Sequence, residues 1–411
     1  MDWLHHLVVR YPWLPIALVV HGVVLGTVAY LILLERKIAS WVQDRLGPNR
    51  VGPGGLLQPM ADGLKFFVKE DYRPAGADKV LFSLAPAVII LVAIVSIAVI
   101  PWGGWVQKTV TSGPATSAVI PNTAEILDAR RIDMLTSEIT YRYPFQIANL
   151  NIGVLFVIAV LSLAVYGVIV GGWASNNKYS FLGGLRAAAQ MISYEIPLGL
   201  SLLSVVILFG TLDLGELVEK QAHYWGGFVP AWNVFAHPLA FVMFLVCIHA
   251  EANRSPFDLA EAEQELVGGY HTEYSSMRMA LFFLAEYAGM ITTSAVCVAL
   301  FFGGWHFPGL SGPADDPAMT GSLGIAILRG VVFFTKTLVV ISLFMWVRWS
   351  LPRFRFDQLM MLAWRAMIPL SLALVMASAV AVYAMGARPG MTLSGRQAAV
   401  MPAVNVVLVA L

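Results

Sequence analysis

The sequence predicts an all-α integral membrane protein, and three observations carry the prediction. Apolar residues make up 58% of its 411 positions and charged residues only 12%, far from the average soluble pattern. Eight segments approach the roughly 20 mostly apolar residues that a transmembrane helix needs: about 16–34, 81–100, 148–170, 190–209, 236–250, 279–302, 331–347 and 366–385. Lys and Arg are also unevenly spread, since the segments 35–80, 171–189, 251–278 and 348–365 hold 16 of the 26. That bias marks those four as cytoplasmic loops. The expected arrangement is one polytopic domain over 1–411 in the cell inner (plasma) membrane, with the N-terminus outside. The fifth span is short, and the uncharged run 397–411 reads as a candidate partial ninth.

Composition excludes several classes. A net charge of +1 provides no field for nucleic acid. No basic stretch precedes a short apolar core and cleavage site, so no cleaved leader is expected. Cys247 and Cys297 lie inside apolar runs without C-x-x-C spacing and read as packing residues. No metal site or disulfide is expected. The chain has no phosphate loop, dinucleotide glycine pattern or nucleophile motif, so any redox cofactor must belong to a partner.

In the first loop, Gly47-Pro48 and Gly52-Pro53-Gly54 mark turns. Leu57, Met60, Leu64, Phe67 and Val68 then recur at helical spacing, with Asp62, Lys65 and Lys69 on another face. The pattern predicts an amphipathic helix at the membrane interface; an ordinary packed surface helix fits it equally. Segment 101–145 reads as an exposed loop with at most a short helix near Thr123–Leu135. No inverted repeat of the transporter kind is evident.

The richest stretch is Glu251–Arg278. Six of the chain's 25 acids lie there (Glu251, Asp258, Glu261, Glu263, Glu265 and Glu273), and Glu286 follows in the next span. Ser255-Pro256 and Gly268-Gly269 would bound a helix over Phe257–Val267. Asp258, Glu261 and Glu265 would then share a face and titrate jointly. A solvated acidic face is the alternative; Tyr270, His271, Tyr274 and Met277 favour a packed loop. Acids inside spans are functional candidates. At 1.5 Å per residue, Glu195 and Glu286 lie about 13 and about 12 Å deep, too far for short side chains to reach water, and read as a proton or ion path. Glu35 and Lys336 read instead as residues reaching the interface or as paired ions.

Several long motifs, in order, resemble the family of the quinone-chamber (H-type) membrane subunit of proton-pumping NADH–quinone oxidoreductase, respiratory complex I. They are ERKIASWVQDRLGPNRVGPGGLLQPMADGLKFFVKE, NIGVLF with AVYG, SYEIPLGLSLL, EANRSPFDLAEAEQELVGGYHTEYSSMRMALFFLAEY and WVRWSLPRFRFDQLM. The 101–145 loop looks longer than in many members. The resemblance implies an eight-span protein that lines a quinone chamber, with the amphipathic helix framing the chamber's entrance. Glu35, Arg36, Arg45 and Asp62 would sit beside entrance and chamber. Glu195, Glu251, Arg254, Asp258, Glu261, Glu263, Glu265, Glu273 and Glu286 would line the path that couples quinone chemistry to proton movement. Arg348, Arg353, Arg355 and Asp357 would dock against the acidic loop or a peripheral arm. Quinone would be substrate, and NADH, FMN and iron–sulfur clusters would reside in partner subunits. Those partners would include peripheral-arm subunits with the terminal cluster and headgroup site, and small and antiporter-like membrane subunits within the lipid bilayer. Two rival readings are an assembly anchor and an ion-translocating component of a hydrogenase-type complex without quinone.

Overall fold

The computed structural model describes residues 10–112, 121–133, 136–225, 229–259, 263–308, 322–386 and 395–410. The chain starts with α1, Trp13–Val42, one long apolar helix that carries Glu35 and Arg36 within it. After the glycine-rich turns comes α2, Gln58–Val68, the expected amphipathic helix. Its residues Met60, Leu64, Phe67 and Val68, with Leu57 just before it, are all exposed, a face suited to lipid. Asp78 then caps α3, Lys79–Ile97, accepting hydrogen bonds from the backbone N–H groups of Val80 and Leu81.

The segment read as a loop with a short helix is instead a three-stranded antiparallel sheet, in the order β1-β3-β2: Trp105–Ser112, Glu125–Asp133 and Thr136–Pro144. Here the correction is physical. β-Branched and aromatic residues alternate along Trp105–Thr111 and Ile139–Tyr143, and cross-strand pairing outweighs the weak local helix signal over Thr123–Leu135.

The next span is broken into α4, Gly153–Ser162, and α5, Ala164–Ala174. Only a short turn follows, because the Asn177 side chain caps α6, Lys178–Phe209. Most of the expected loop 171–189 is therefore helix. Gly210 stops α6 in the left-handed conformation (φ 67°). Short α7, Leu214–Lys220, and α8, Asn233–Ala236, lead to α9, Pro238–Glu251. At 14 residues α9 rises only about 21 Å, short of the ~30 Å hydrocarbon thickness.

In the acidic stretch, Phe257–Leu259 is not helical and α10 covers only Glu263–Leu266. The expected continuous helix over 257–267 therefore does not form at its start; Glu261 lies outside the described residues. The remaining helices are α11, Ser276–Phe301; α12, Leu323–Ser350; α13, Phe356–Met361; α14, Ile368–Ala384; and α15, Gly395–Ala410. A π-helical turn, Leu362–Met367, joins α13 to α14.

Among the described residues, seven helical spans are long and apolar enough to cross a membrane, with α9 and Val400–Val409 of α15 as shorter apolar helices. The hydrophobic stretch of α11 is 72% buried, against 33% for those of α1 and α12. Thus α11 is the axis of the bundle, and α1 and α12 show lipid one face. Both carry their charges toward that axis.

Candidate functional site

A row of buried ions forms where α1, α9, α11 and α12 meet. Arg254, just beyond α9, lies with Nη1 3.3 Å from Glu35 Oε1 and Nε 2.8 Å from Glu286 Oε1. Arg348 donates from Nη1 to the same Glu35 oxygen at 2.5 Å, and Tyr287 donates its hydroxyl to Glu35 Oε2 at 2.5 Å. The Arg254 guanidinium also covers the Tyr287 ring, 4.3 Å from its centroid. Two carboxylates and two guanidiniums balance, which is the condition for burying ions at all. Burial opposes the Arg254 charge, but Glu286, Tyr287 and Glu35 outweigh it and hold the group well above the usual arginine range.

The seam continues toward α6 through two small cavities that share Glu251. One, about 70 Å³, is lined by Glu251, Asn253, Tyr270, Glu286 and Thr293 among others. The other, about 20 Å³, lies between Glu251, Met191, Ser162 and Glu195. A single ordered water needs roughly 10–15 Å³ of such volume, so the smaller cavity fits one and the larger several. The Ser162 hydroxyl contacts a Glu195 carboxylate oxygen directly, just where α4 breaks into α5. The flanking residues are pinned: Trp364 Nε1, in the π turn, donates to Ser193 Oγ at 3.3 Å, and Tyr194 donates to the Leu359 carbonyl at 3.0 Å. π-Turns of this kind recur at functional sites. Glu195 thus sits on a fixed backbone.

The loop 251–278 is packed against the bundle. Gly183 of α6 meets it so closely that a Cβ there would lie 2.7 Å from the Gly269 Cα and the Tyr270 nitrogen. Tyr270 and Tyr274 pack edge-on against Phe282. Burial holds His271 down at about 4, so it is neutral at physiological pH.

The acids of this loop do not share a helix face. Asp258 is buried and takes Arg353 Nη2 at 3.0 Å. Glu265 is exposed and pairs with Arg186 at 2.6 Å. Glu273 accepts from Asn177 Nδ2 at 2.6 Å. Glu263 begins α10. Joint titration of Asp258, Glu261 and Glu265 as one face is therefore withdrawn, because tertiary partners pull Asp258 and Glu265 apart.

The remaining candidates separate by place. Arg36 and Asp62 pair at 2.8 Å and tie α1 to α2, whereas Glu35, one residue away, turns inward to the seam. Arg45 Nε donates to Gln43 at 2.7 Å; Arg355 and Asp357 lie at the start of α13. Lys336 is half-buried against three backbone carbonyls, Phe302, Gly304 and His306, at 2.6 to 3.0 Å. It neutralises the carbonyl end of α11.

Sequence reasoning missed Tyr287, Ser162 and Asn253 as site residues, and took Tyr270 only as a packing residue. The first carried a signal, since a tyrosine directly after a buried glutamate offers a donor at the same depth. Cys247 and Cys297 are buried and unpaired. Among the described residues, no group of three or more His, Cys, Asp or Glu could hold a metal ion.

Fold and seam together define a polytopic, all-α membrane protein whose core is built around coupled ionisable groups. A family profile described as NADH dehydrogenase matches residues 15–379, and the chain belongs to that family. Its curated relatives are H-type subunits of NADH-quinone oxidoreductase. The first of two such proteins in Cytophaga hutchinsonii is 46% identical over 84% of this chain and 88% of its own length. That of Leptospira biflexa is 46% identical over 88% of this chain and 92% of its own. The second such protein of Koribacter versatilis is 44% identical over 88% and 94%.

Proposed function

We propose that this chain is the membrane subunit of a proton-translocating NADH–quinone oxidoreductase that lines the quinone chamber and couples quinone reduction to proton movement. The observation that carries the proposal is the continuous seam Glu195–Glu251–Glu286–Arg254–Glu35, with space for water on both sides of Glu251. Reduction of a quinone to a quinol takes up two electrons and two protons. The electrons would come from an iron–sulfur cluster of a partner subunit, fed by NADH and FMN. The protons, or the transient negative charge they neutralise, fall to this chain's groups. Charge appearing beside Glu35 and Arg254 perturbs Glu286 through Arg254, and Glu286 perturbs Glu251 across the larger cavity.

Each group suits its part. Arg254 stays charged and acts as the fixed relay of electrostatic force. Glu251 has no cation within ion-pair distance among the described residues, so its proton is the easiest to move. The Ser162 hydroxyl steadies Glu195 as the far terminus, from which antiporter-like partners would take over. α2, held by Arg36–Asp62 and by Ser276 donating to the Phe66 carbonyl at 2.9 Å, supports a lipid-side entrance between α1, α2 and α11.

The test is Glu286→Gln and Glu251→Gln in the assembled complex. Both should reduce quinone reductase activity about tenfold or more, toward the 10²–10⁴-fold range associated with a positioned proton-transfer group, while assembly is unchanged. Wild-type turnover in both would leave the acids as structural contacts of an assembly anchor.

A further inference from the structure

A second large feature lies at the other end of the bundle, where the β-sheet sits. α1 and α12 diverge there and leave a groove of about 610 Å³, walled by Ile16, Val20, Val24, Ile327, Val331 and Phe334. Along α1 it runs from Pro12 to Val24, and along α12 from Leu323 to Thr335. Each stretch rises about 18 Å at 1.5 Å per residue, slightly more than half the ~30 Å hydrocarbon thickness. The groove therefore has the depth of one leaflet. Val19, Val23, Ile327 and Val331 are half-exposed along it, so its contents come from the bilayer. Gly330 helps to hollow its wall.

Polarity is confined to the mouth. Lys108 of β1 lines it with Tyr141 and Tyr143 of β3. Lys108 is exposed and makes no ion pair among the described residues. Arg10 lies at the same mouth: its carbonyl accepts from Asn122, next to the lining residue Pro121, at 3.0 Å. Aromatic side chains with a cation at the end of an apolar slot form an interfacial arrangement.

We propose that this groove holds an anionic phospholipid of the sheet-side leaflet, one acyl chain lying between α1 and α12 and the phosphate at Lys108. A neutral isoprenoid has no need of the cation. A partner's helix, about 10–12 Å across with side chains, is a poor fit to a slot whose volume is that of a small-ligand site of roughly 300–1,000 Å³.

The assembled complex is placed in vesicles with phosphatidylglycerol or phosphatidylcholine bearing a diazirine at the acyl terminus, and labelled peptides are identified. Both probes should mark residues 16–24 and 327–335, phosphatidylglycerol at least threefold more. Gly330→Leu should cut labelling several-fold; its Cβ would meet only the Trp102 carbonyl at 3.6 Å, so the fold tolerates it. Val331→Trp, on the exposed wall, is the second filling variant. Lys108→Glu should abolish the preference for phosphatidylglycerol. Labelling that survives both filling variants, a preference unaffected by Lys108→Glu, or displacement of the lipid probes by a long-tailed quinone would overturn the proposal.

Discussion

Arg254 is the residue on which the buried charges depend. It touches Glu35 and Glu286 at once, and its removal leaves two carboxylates with only Arg348 between them. Breaking a buried ion pair typically costs about 3–5 kcal/mol, so Arg254→Met should lower the thermal stability of the assembled complex and its yield. The strain is electrostatic, so Glu286→Gln added to Arg254→Met should recover a good part of the loss; a double variant less stable than Arg254→Met would contradict that assignment. Asp258–Arg353 gives the contrast. The Arg353 side chain is 32% exposed, and solvent-screened pairs contribute about 0–1 kcal/mol. Arg353→Ala should therefore change stability little, and a change beyond about 1 kcal/mol would mean that Arg353 does more than pair.

At the scale of elements, the tightest approach is between Gly183 of α6 and Gly269 in the acidic loop. A larger side chain at position 183 must push the loop away. Gly183→Val should speed hydrogen exchange of the Tyr270–Tyr274 backbone and lower activity without altering the spans; unchanged exchange would show that the loop is held elsewhere. The long apolar runs of α1, α3, α6 and α11 were legible in the sequence because burying a helix in lipid demands a local composition. Depth was legible too, since the 1.5 Å rise converts position into distance. What could not be read were the partners: Arg254 and Glu35 lie 219 positions apart, and no local pattern ties them together. The same limit explains the sheet in 105–144 and the lost helix over Phe257–Leu259, where cross-strand pairing and the Asp258–Arg353 contact overrode local signals.

At the scale of the whole molecule, α9 is too short to cross alone, and α15 packs beside it. Met401 is fully buried, and Asn405 Nδ2 donates to the Ala236 carbonyl at 3.4 Å, just before α9 begins. Truncation before Gly395 should loosen α8 and α9 and raise their hydrogen exchange, while the α1–α11–α12 seam keeps its protection. The two ends of the bundle then have different tasks: one carries the charged seam, and the other carries the sheet and the lipid groove. The central claim concerns the seam, namely that a carboxyl of this chain changes its protonation as quinone is reduced. It is tested most directly by the infrared difference spectrum of the assembled complex between oxidised and NADH-reduced states, in wild type and in Glu251→Gln. The account predicts a protonated-carboxyl C=O band that changes on reduction in wild type and is missing in Glu251→Gln. The same band, unchanged in the variant, would contradict it.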